Sequence, residues 1–249
     1  MSDELQPGTV LHGRYRVVRA LGSGGMGAVC LAEDLRARRE VALKVARLGD
    51  PAARDLFQHE AATLRRLQHH GLPRVWDVLS DTQRDVLVME YIAGPNLDER
   101  VRAEGPQPEL LVLSWAEELL LTLDYLHSQN PPIIHRDVKP ANLKLRGDGS
   151  LALVDFGIAK ELVPGQFTRP AAAAVSPGYS PPEQYPGSTT TDARSDLYAA
   201  GATLYYLLTA AIPPTATERA SGARSLVPAG ALIQGLTPAT QVLVGRALK

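Results

Sequence analysis

The stretch IIHRDVKPANLKL (residues 133–145), followed by LALVDFGIAK (residues 151–160), decides how the rest of the chain is interpreted. A short loop and the hairpin after it can bring four polar side chains to one point: Asp137, Lys139, Asn142 and Asp155. Asn142 and Asp155 offer the oxygen ligands that Mg²⁺ prefers, a cation usually shared with substrate phosphates. The pattern indicates a site for a metal-bound phosphate compound.

Each of these residues also has a purely structural interpretation. Asp137 could cap a turn, Asn142 could close an Asx turn, and Asp155 could end a strand. Three separate structural roles for residues so close together explain the pattern poorly. We therefore favour one site to which all of these residues contribute.

A glycine-rich segment, LGSGGMGAV (residues 21–29), supplies a second phosphate signal. Gly22, Gly24 and Gly27 allow backbone N–H groups to approach a phosphate closely, although a flexible hairpin turn would look the same. A strand follows, whereas a dinucleotide-binding motif would open a helix. The segment also lacks the Gly-Lys-Ser/Thr ending of a Walker loop.

Lys44 lies in the apolar strand VALKV, where alternation places it on the same face as Ala42. An isolated lysine of this kind would be expected to face solvent. Glu60, however, falls on the apolar face of the next predicted helix, where an unpaired carboxylate would be costly. We therefore predict that Glu60 pairs with Lys44 and holds it for binding phosphates.

Apolar periodicity divides the chain at Gly94 and Pro95 into a small β-rich part and a larger helical part. The predicted strands cover residues 15–22, 28–34, 39–45, 75–80 and 85–91. The predicted helices cover residues 51–69, 110–127, 194–209 and 238–248.

Composition excludes several classes of partner. The 26 Lys and Arg residues against 27 Asp and Glu residues give a net charge of −1, so no nucleic-acid partner is expected. The most apolar stretch, residues 198–212, is shorter than the ~20 residues of a membrane span. The single cysteine, Cys30, and the absence of a visible signal peptide lead us to expect a cytoplasmic protein.

Taken in order, these motifs resemble the signature set of eukaryotic-type protein kinases, and most closely that of bacterial serine/threonine kinases. The resemblance implies an α+β, two-lobed fold: a small antiparallel β lobe with one regulatory helix, then a larger, mainly helical lobe. Residues 14–92 would form the first lobe and residues 93–249 the second, after an extension over residues 1–13.

The resemblance also implies residue roles, with ATP and Mg²⁺ as cofactors and Ser/Thr-containing proteins as substrates. Asp137 would be the catalytic base and Lys139 would neutralise the transferred phosphoryl group. Asn142 and Asp155 would bind Mg²⁺, and Lys44, fixed by Glu60, would bind the α- and β-phosphates. Autophosphorylation through self-association is expected as well.

Further nucleotide contacts are implied for residues around the adenine: Leu21, Gly22, Gly24, Gly27, Val29, Ala42, Met89, Glu90, Ile92 and Lys144. Lys144 departs from the family pattern, which usually has an apolar residue as the floor of this pocket. Its aliphatic stem could still pack under the ring.

Regulatory roles are implied for Arg136, Thr168 and Ser176; Thr168 is the only hydroxyl residue between residues 157 and 175. Asp196 would hold the catalytic-loop backbone, with a simple N-cap as the alternative. Glu183 would ordinarily pair with an arginine beyond residue 249. We therefore expect either a chain truncated before the last helix or another cation as the partner of Glu183, and a destabilised helical lobe.

Two other functions are compatible with these motifs. A pseudokinase, acting as a regulated nucleotide-binding module, would bind nucleotide without transferring phosphate. A small-molecule kinase of the same general fold would typically lack the peptide-docking segment SPGYSPPEQY at residues 176–185.

Overall fold

The computed structural model describes residues 5–24, 27–47, 51–81, 84–155, 175–185 and 191–249. The chain forms two compact units. The first extends to residue 92 except for residues 69–71, which belong with residues 93–249 in the second. Within the described ranges, no helix is long and apolar enough to cross a membrane. The predicted α+β class is confirmed.

The first unit is built on a six-stranded antiparallel sheet with the order β1-β2-β3-β4-β6-β5. Its strands are β1 (Val10–Leu11), β2 (Tyr15–Gly24), β3 (Gly27–Asp34), β4 (Arg39–Arg47), β5 (Val75–Ser80) and β6 (Arg84–Glu90). All five predicted strands are present, and their alternating β-branched residues suit a half-buried pleated surface. β1 lies within the stretch that we expected to be an extension.

One face of this sheet forms an apolar core. Tyr15, Cys30, Leu43 and Val45 belong to it, together with other buried side chains of β2, β3, β4 and β6. Successive residues of a strand point to opposite faces. Lys44, between Leu43 and Val45, therefore lies on the face opposite this core.

Helix α1 (Pro51–Arg66) begins with proline, which is well suited to a first helical turn. Phe57 and Leu64 are buried along its inner side. Arg54 Nε lies 3.2 Å from the buried carboxylate of Asp85 on β6, and Gln58 Nε2 donates to the same group at 3.0 Å. These contacts attach the helix to the sheet.

The second unit is mainly helical. Its helices are α2 (Leu97–Glu104), α3 (Glu109–His127), α4 (Ala193–Thr209), α5 (Ala216–Ala220), α6 (Ala229–Leu232) and α7 (Pro238–Ala247). Side-chain caps at Asn96, Asp192, Thr215 and Thr237 begin four of them. α4 is buried along nearly its whole length, and α3 and α7 pack against it. The apolar stretch from residue 198 is thus a core helix.

A small hairpin of β7 (Leu143–Leu145) and β8 (Leu151–Leu153) follows a 3-10 turn at Pro140–Asn142. The N–H of Val154 donates to the carbonyl of Asn142 at 2.8 Å, and the N–H of Leu153 donates to Gly71 at 2.8 Å. The hairpin therefore fixes the loop before it relative to the residues after it.

Candidate active site

The centre of the site is the half-buried carboxylate of Asp137, in the loop before β7. Lys139 Nζ lies 2.9 Å from Oδ2 and 3.1 Å from Oδ1. Asn142 Nδ2 donates to Oδ2 at 2.9 Å, and Ser176 Oγ donates to Oδ1 at 2.8 Å. Lys139 also donates to Ser176 Oγ at 3.0 Å. The structure brings these four predicted residues together around one negative charge.

The loop that leads to this carboxylate is attached to α4 through Asp196. The buried carboxylate of Asp196 accepts the backbone N–H groups of His135 and Arg136, each at 2.8 Å. His127 Nε2, at the end of α3, lies 2.8 Å from the same group. The N-cap of α4 is Asp192. Asp196 thus contacts the loop backbone and is not the cap of its own helix.

Asn142 and Asp155 flank the β7–β8 hairpin: Asn142 directly precedes β7, and Asp155 lies shortly after β8. Asn142 is buried, and its Nδ2 also donates to the Asp137 carbonyl at 2.8 Å, which orients its amide. Asp155 is exposed, and its φ of 60° is rare for a residue with a side chain. Both of these hydrogen bonds are made by the amide nitrogen of Asn142. An amide oxygen together with a carboxylate is a donor set that fits Mg²⁺.

The segment at residues 176–185 lies beside this loop. Ser176 N–H donates to Ser180 Oγ at 3.0 Å, which shapes the turn that presents the Ser176 hydroxyl. The Tyr179 ring packs edge-on against Tyr206 of α4, and burial raises the pKa of the Tyr179 hydroxyl. The segment is therefore anchored on α4 while its first hydroxyl contacts the central carboxylate.

The segment ends in a 3-10 turn at Pro182–Gln184. Glu183 Oε1 accepts a hydrogen bond from Ser195 Oγ of α4 at 2.6 Å. Gln184 Nε2 donates to the Arg136 carbonyl at 3.0 Å. His127 and Gln184 are site residues that sequence reasoning missed. His127 lies in the last turn of a predicted helix, so the sequence offered a signal for it that it did not offer for Gln184.

Lys144 lies on β7, where it pairs with Ala152 of β8. Its neighbours Leu143 and Leu145 are buried, whereas Lys144 is half-buried on the opposite face. Lys144 therefore shares its face of the hairpin with Ala152, which is fully buried.

In the first unit, Lys44 is half-buried in β4, paired with Val29 of β3 and Leu87 of β6. Gly22 pairs with Val29 at the start of the glycine-rich hairpin, and Gly24 pairs with Gly27 near its tip. Four other predicted nucleotide contacts of this unit lie on strands of the sheet: Leu21, Ala42, Met89 and Glu90. Ile92 follows them and is buried.

Some predicted groups lie outside the described residues. Thr168 is one, and the side chain of Glu60 is another, although the backbone of Glu60 is part of α1. The roles predicted for both residues stay predictions.

Comparison with known proteins gives a family match. A family model described as the protein kinase domain matches residues 15–233. The serine/threonine-protein kinase PrkC of Bacillus subtilis is 35% identical over 83% of this chain and 32% of that protein. PknB of Mycobacterium tuberculosis is 35% identical over 96% of this chain and 40% of its own length.

A third relative, serine/threonine-protein kinase B of Synechocystis, is 38% identical over 82% of this chain and 38% of its own length. The chain thus spans only about a third to two fifths of the curated relatives that it matches.

Proposed function

The chain belongs to the protein kinase family, and on that premise we propose that it is a protein serine/threonine kinase. It transfers the γ-phosphoryl group of ATP, with Mg²⁺, to Ser or Thr hydroxyls of proteins, including a second copy of this chain. The observation that carries the proposal is the 2.8 Å hydrogen bond from the Ser176 hydroxyl to the Asp137 carboxylate. An aliphatic alcohol already donates to the group that acts as the base.

Asp137 orients the substrate hydroxyl and accepts its proton while the hydroxyl oxygen bonds to the γ-phosphorus. The bond from phosphorus to the bridging oxygen breaks, and ADP leaves. Lys139, 2.9 Å from Asp137, lies close enough to neutralise charge on the transferred group. Ser176 and Asn142 keep the carboxylate in one orientation, which lowers the entropic cost of the reactive geometry.

Asn142 and Asp155 supply the oxygen ligands for Mg²⁺, which neutralises phosphate charge when bound. Lys44 binds the α- and β-phosphates and Glu60 fixes the position of Lys44. The adenine contacts the residues predicted around it, and the stem of Lys144 supports the ring. Arg136, Thr168 and Ser176 have regulatory roles in this proposal.

A second candidate function is a nucleotide-binding regulatory module without phosphotransfer. The observation that favours it is Lys144, whose half-buried cationic side chain stands where the family usually has an apolar contact for adenine. This candidate differs from the first in one measurable property, the rate of phosphate transfer.

The test measures transfer from γ-labelled ATP to a generic basic protein, with Mg²⁺ and then with excess chelator. We expect Asp137→Asn to lower kcat roughly 10²- to 10⁴-fold, because the amide cannot accept the proton. The chelator should abolish transfer. Asp124→Asn, an exposed carboxylate on α3, is the matched control and should retain the parent rate.

Equal kcat for the parent and Asp137→Asn would contradict the proposed base. A parent chain that binds ATP but transfers no phosphate would support the regulatory module instead.

A further inference from the structure

Gln184 contacts the backbone of the catalytic loop directly. Its amide nitrogen donates to the carbonyl oxygen of Arg136 at 3.0 Å. Arg136 is buried and immediately precedes Asp137. A side chain of the 3-10 turn Pro182–Gln184 therefore reaches a peptide group 48 residues earlier in the chain.

The Arg136 backbone has a conformation that needs support. Its φ is 66°, in the left-handed region that residues with a Cβ rarely adopt. The N–H of Arg136 is bound by Asp196 at 2.8 Å, and its carbonyl is bound by Gln184. The backbone N–H and the backbone carbonyl of this strained residue are thus both bound by side chains from outside the loop.

The Arg136 carbonyl shares a rigid, planar peptide group with the N–H of Asp137. A hydrogen bond that fixes the carbonyl direction therefore fixes the direction of the Asp137 N–H, which lies 3.4 Å from His135 Nδ1. The orientation of this plane also sets where the Asp137 side chain begins. Losing the Gln184 amide would let the plane rotate as the Arg136 backbone relaxes.

The turn that carries Gln184 is itself held in place. Glu183, the preceding residue, accepts from Ser195 Oγ at 2.6 Å, and Ser195 directly precedes Asp196. The two groups that bind Arg136 are thus tied to the same end of α4. At the other end of the segment, Ser176 contacts the Asp137 carboxylate.

We propose that Gln184 is a positioning residue that fixes the peptide plane before Asp137 and couples the segment at residues 176–185 to the base. This proposal rests on the proposed function in one respect, namely that Asp137 is the base. Gln184 touches neither substrate nor nucleotide in this proposal, so it acts on kcat and leaves binding unchanged.

The experiment compares Gln184→Ala, Gln184→Glu and Gln184→Lys with the parent. Gln129→Ala is the matched control, because Gln129 Nε2 makes the same kind of bond to the Tyr125 carbonyl at the end of α3, at 2.8 Å. We expect Gln184→Ala to lower kcat on the order of tenfold or more, with KM for ATP and protein substrate within about twofold.

Gln184→Glu should be at least as impaired, because a carboxylate would face the carbonyl oxygen. Gln184→Lys keeps a donor of comparable reach and should recover part of kcat. Gln129→Ala should keep the parent kcat.

Hydrogen exchange at the amides of residues 135–138 is measured on the same variants. We expect faster exchange in Gln184→Ala and parent-like exchange in Gln129→Ala. This readout needs no activity, so it decides the positioning role even if the parent transfers no phosphate, a result that would instead overturn the proposed function. Parent-like exchange in Gln184→Ala, or an unchanged kcat in an active parent, would overturn the inference.

Discussion

At the scale of single residues, the Asp34 carboxylate of the first unit accepts hydrogen bonds from side-chain and backbone nitrogens. Arg14 binds it with two guanidinium nitrogens, Nε at 2.9 Å and Nη2 at 2.7 Å. The N–H groups of Arg36 and Ala37 donate to it at 3.0 and 3.1 Å. The bond from Arg14, more than any other contact, lowers the pKa of Asp34 to about 2. The ionised form is thus favoured in the folded state.

This pKa shift predicts an acid dependence of stability. A carboxylate whose pKa is depressed by folding stabilises the protein above its unfolded pKa, 3.8 for Asp34, and this contribution is lost as pH falls toward 2. We expect Asp34→Asn to be less stable than the parent at pH 7 and to lose less stability between pH 4 and pH 2. Denaturant titrations at several pH values measure this. If the free energy of unfolding fell equally between pH 4 and pH 2 in the two proteins, the prediction would be contradicted.

The candidate-site residues of the loop before β7 were predictable because they are close in sequence. Asp137, Lys139 and Asn142 lie within six positions, and any compact loop brings them together. Gln184 was not predictable, because its partner is a backbone carbonyl. Residue types in a sequence do not show the direction in which a distant peptide group points.

At the scale of elements, the packing of α4 against α7 depends on a glycine. A Cβ added at Gly201 of α4 would overlap the Cβ of Ala247 and come within 3.3 Å of its carbonyl carbon. Because a Cβ is attached directly to the main chain, Ala247 cannot turn away from this contact. The two helices would therefore have to move apart.

We therefore expect Gly201→Ala to destabilise the chain by about 1–3 kcal/mol, despite the better helix propensity of alanine. Ala247→Gly introduced into this variant should restore part of the loss. Gly245→Ala on α7 is the control, because its new Cβ would meet no atom within 4 Å. Thermal and urea unfolding measure these effects. A Gly201→Ala variant as stable as the Gly245→Ala control would contradict the packing argument.

Long elements were predicted well and short ones were not. Glu109–His127 and Ala193–Thr209 differ from the predicted helices by one residue at the start. Helices α5 and α6, of five and four residues, are too short to show apolar periodicity. Strand β1 consists of two residues and depends on pairing with β2, which local sequence does not reveal.

At the scale of the whole molecule, the chain divides between residues 92 and 93, next to the predicted break at Gly94 and Pro95. No sequence pattern separates residues 69–71 from the first unit. Their assignment to the second unit depends on tertiary contacts: Gly71 accepts from the N–H of Leu153, and His69 stacks on the Tyr125 ring. Helix α1 ends at Arg66, before the predicted residue 69.

The proposed function requires that Asp137, Asn142 and Asp155 act on a metal-bound nucleotide. The most direct test is a crystal structure of the chain with Mg²⁺ and a non-hydrolysable ATP analogue. We predict oxygens of Asn142 and Asp155 at about 2.1 Å from the metal and Lys44 Nζ within about 3 Å of a phosphate oxygen. The Asp137 carboxylate should face the γ-phosphate. A nucleotide bound away from these side chains, or a metal held by other residues, would contradict the proposed function.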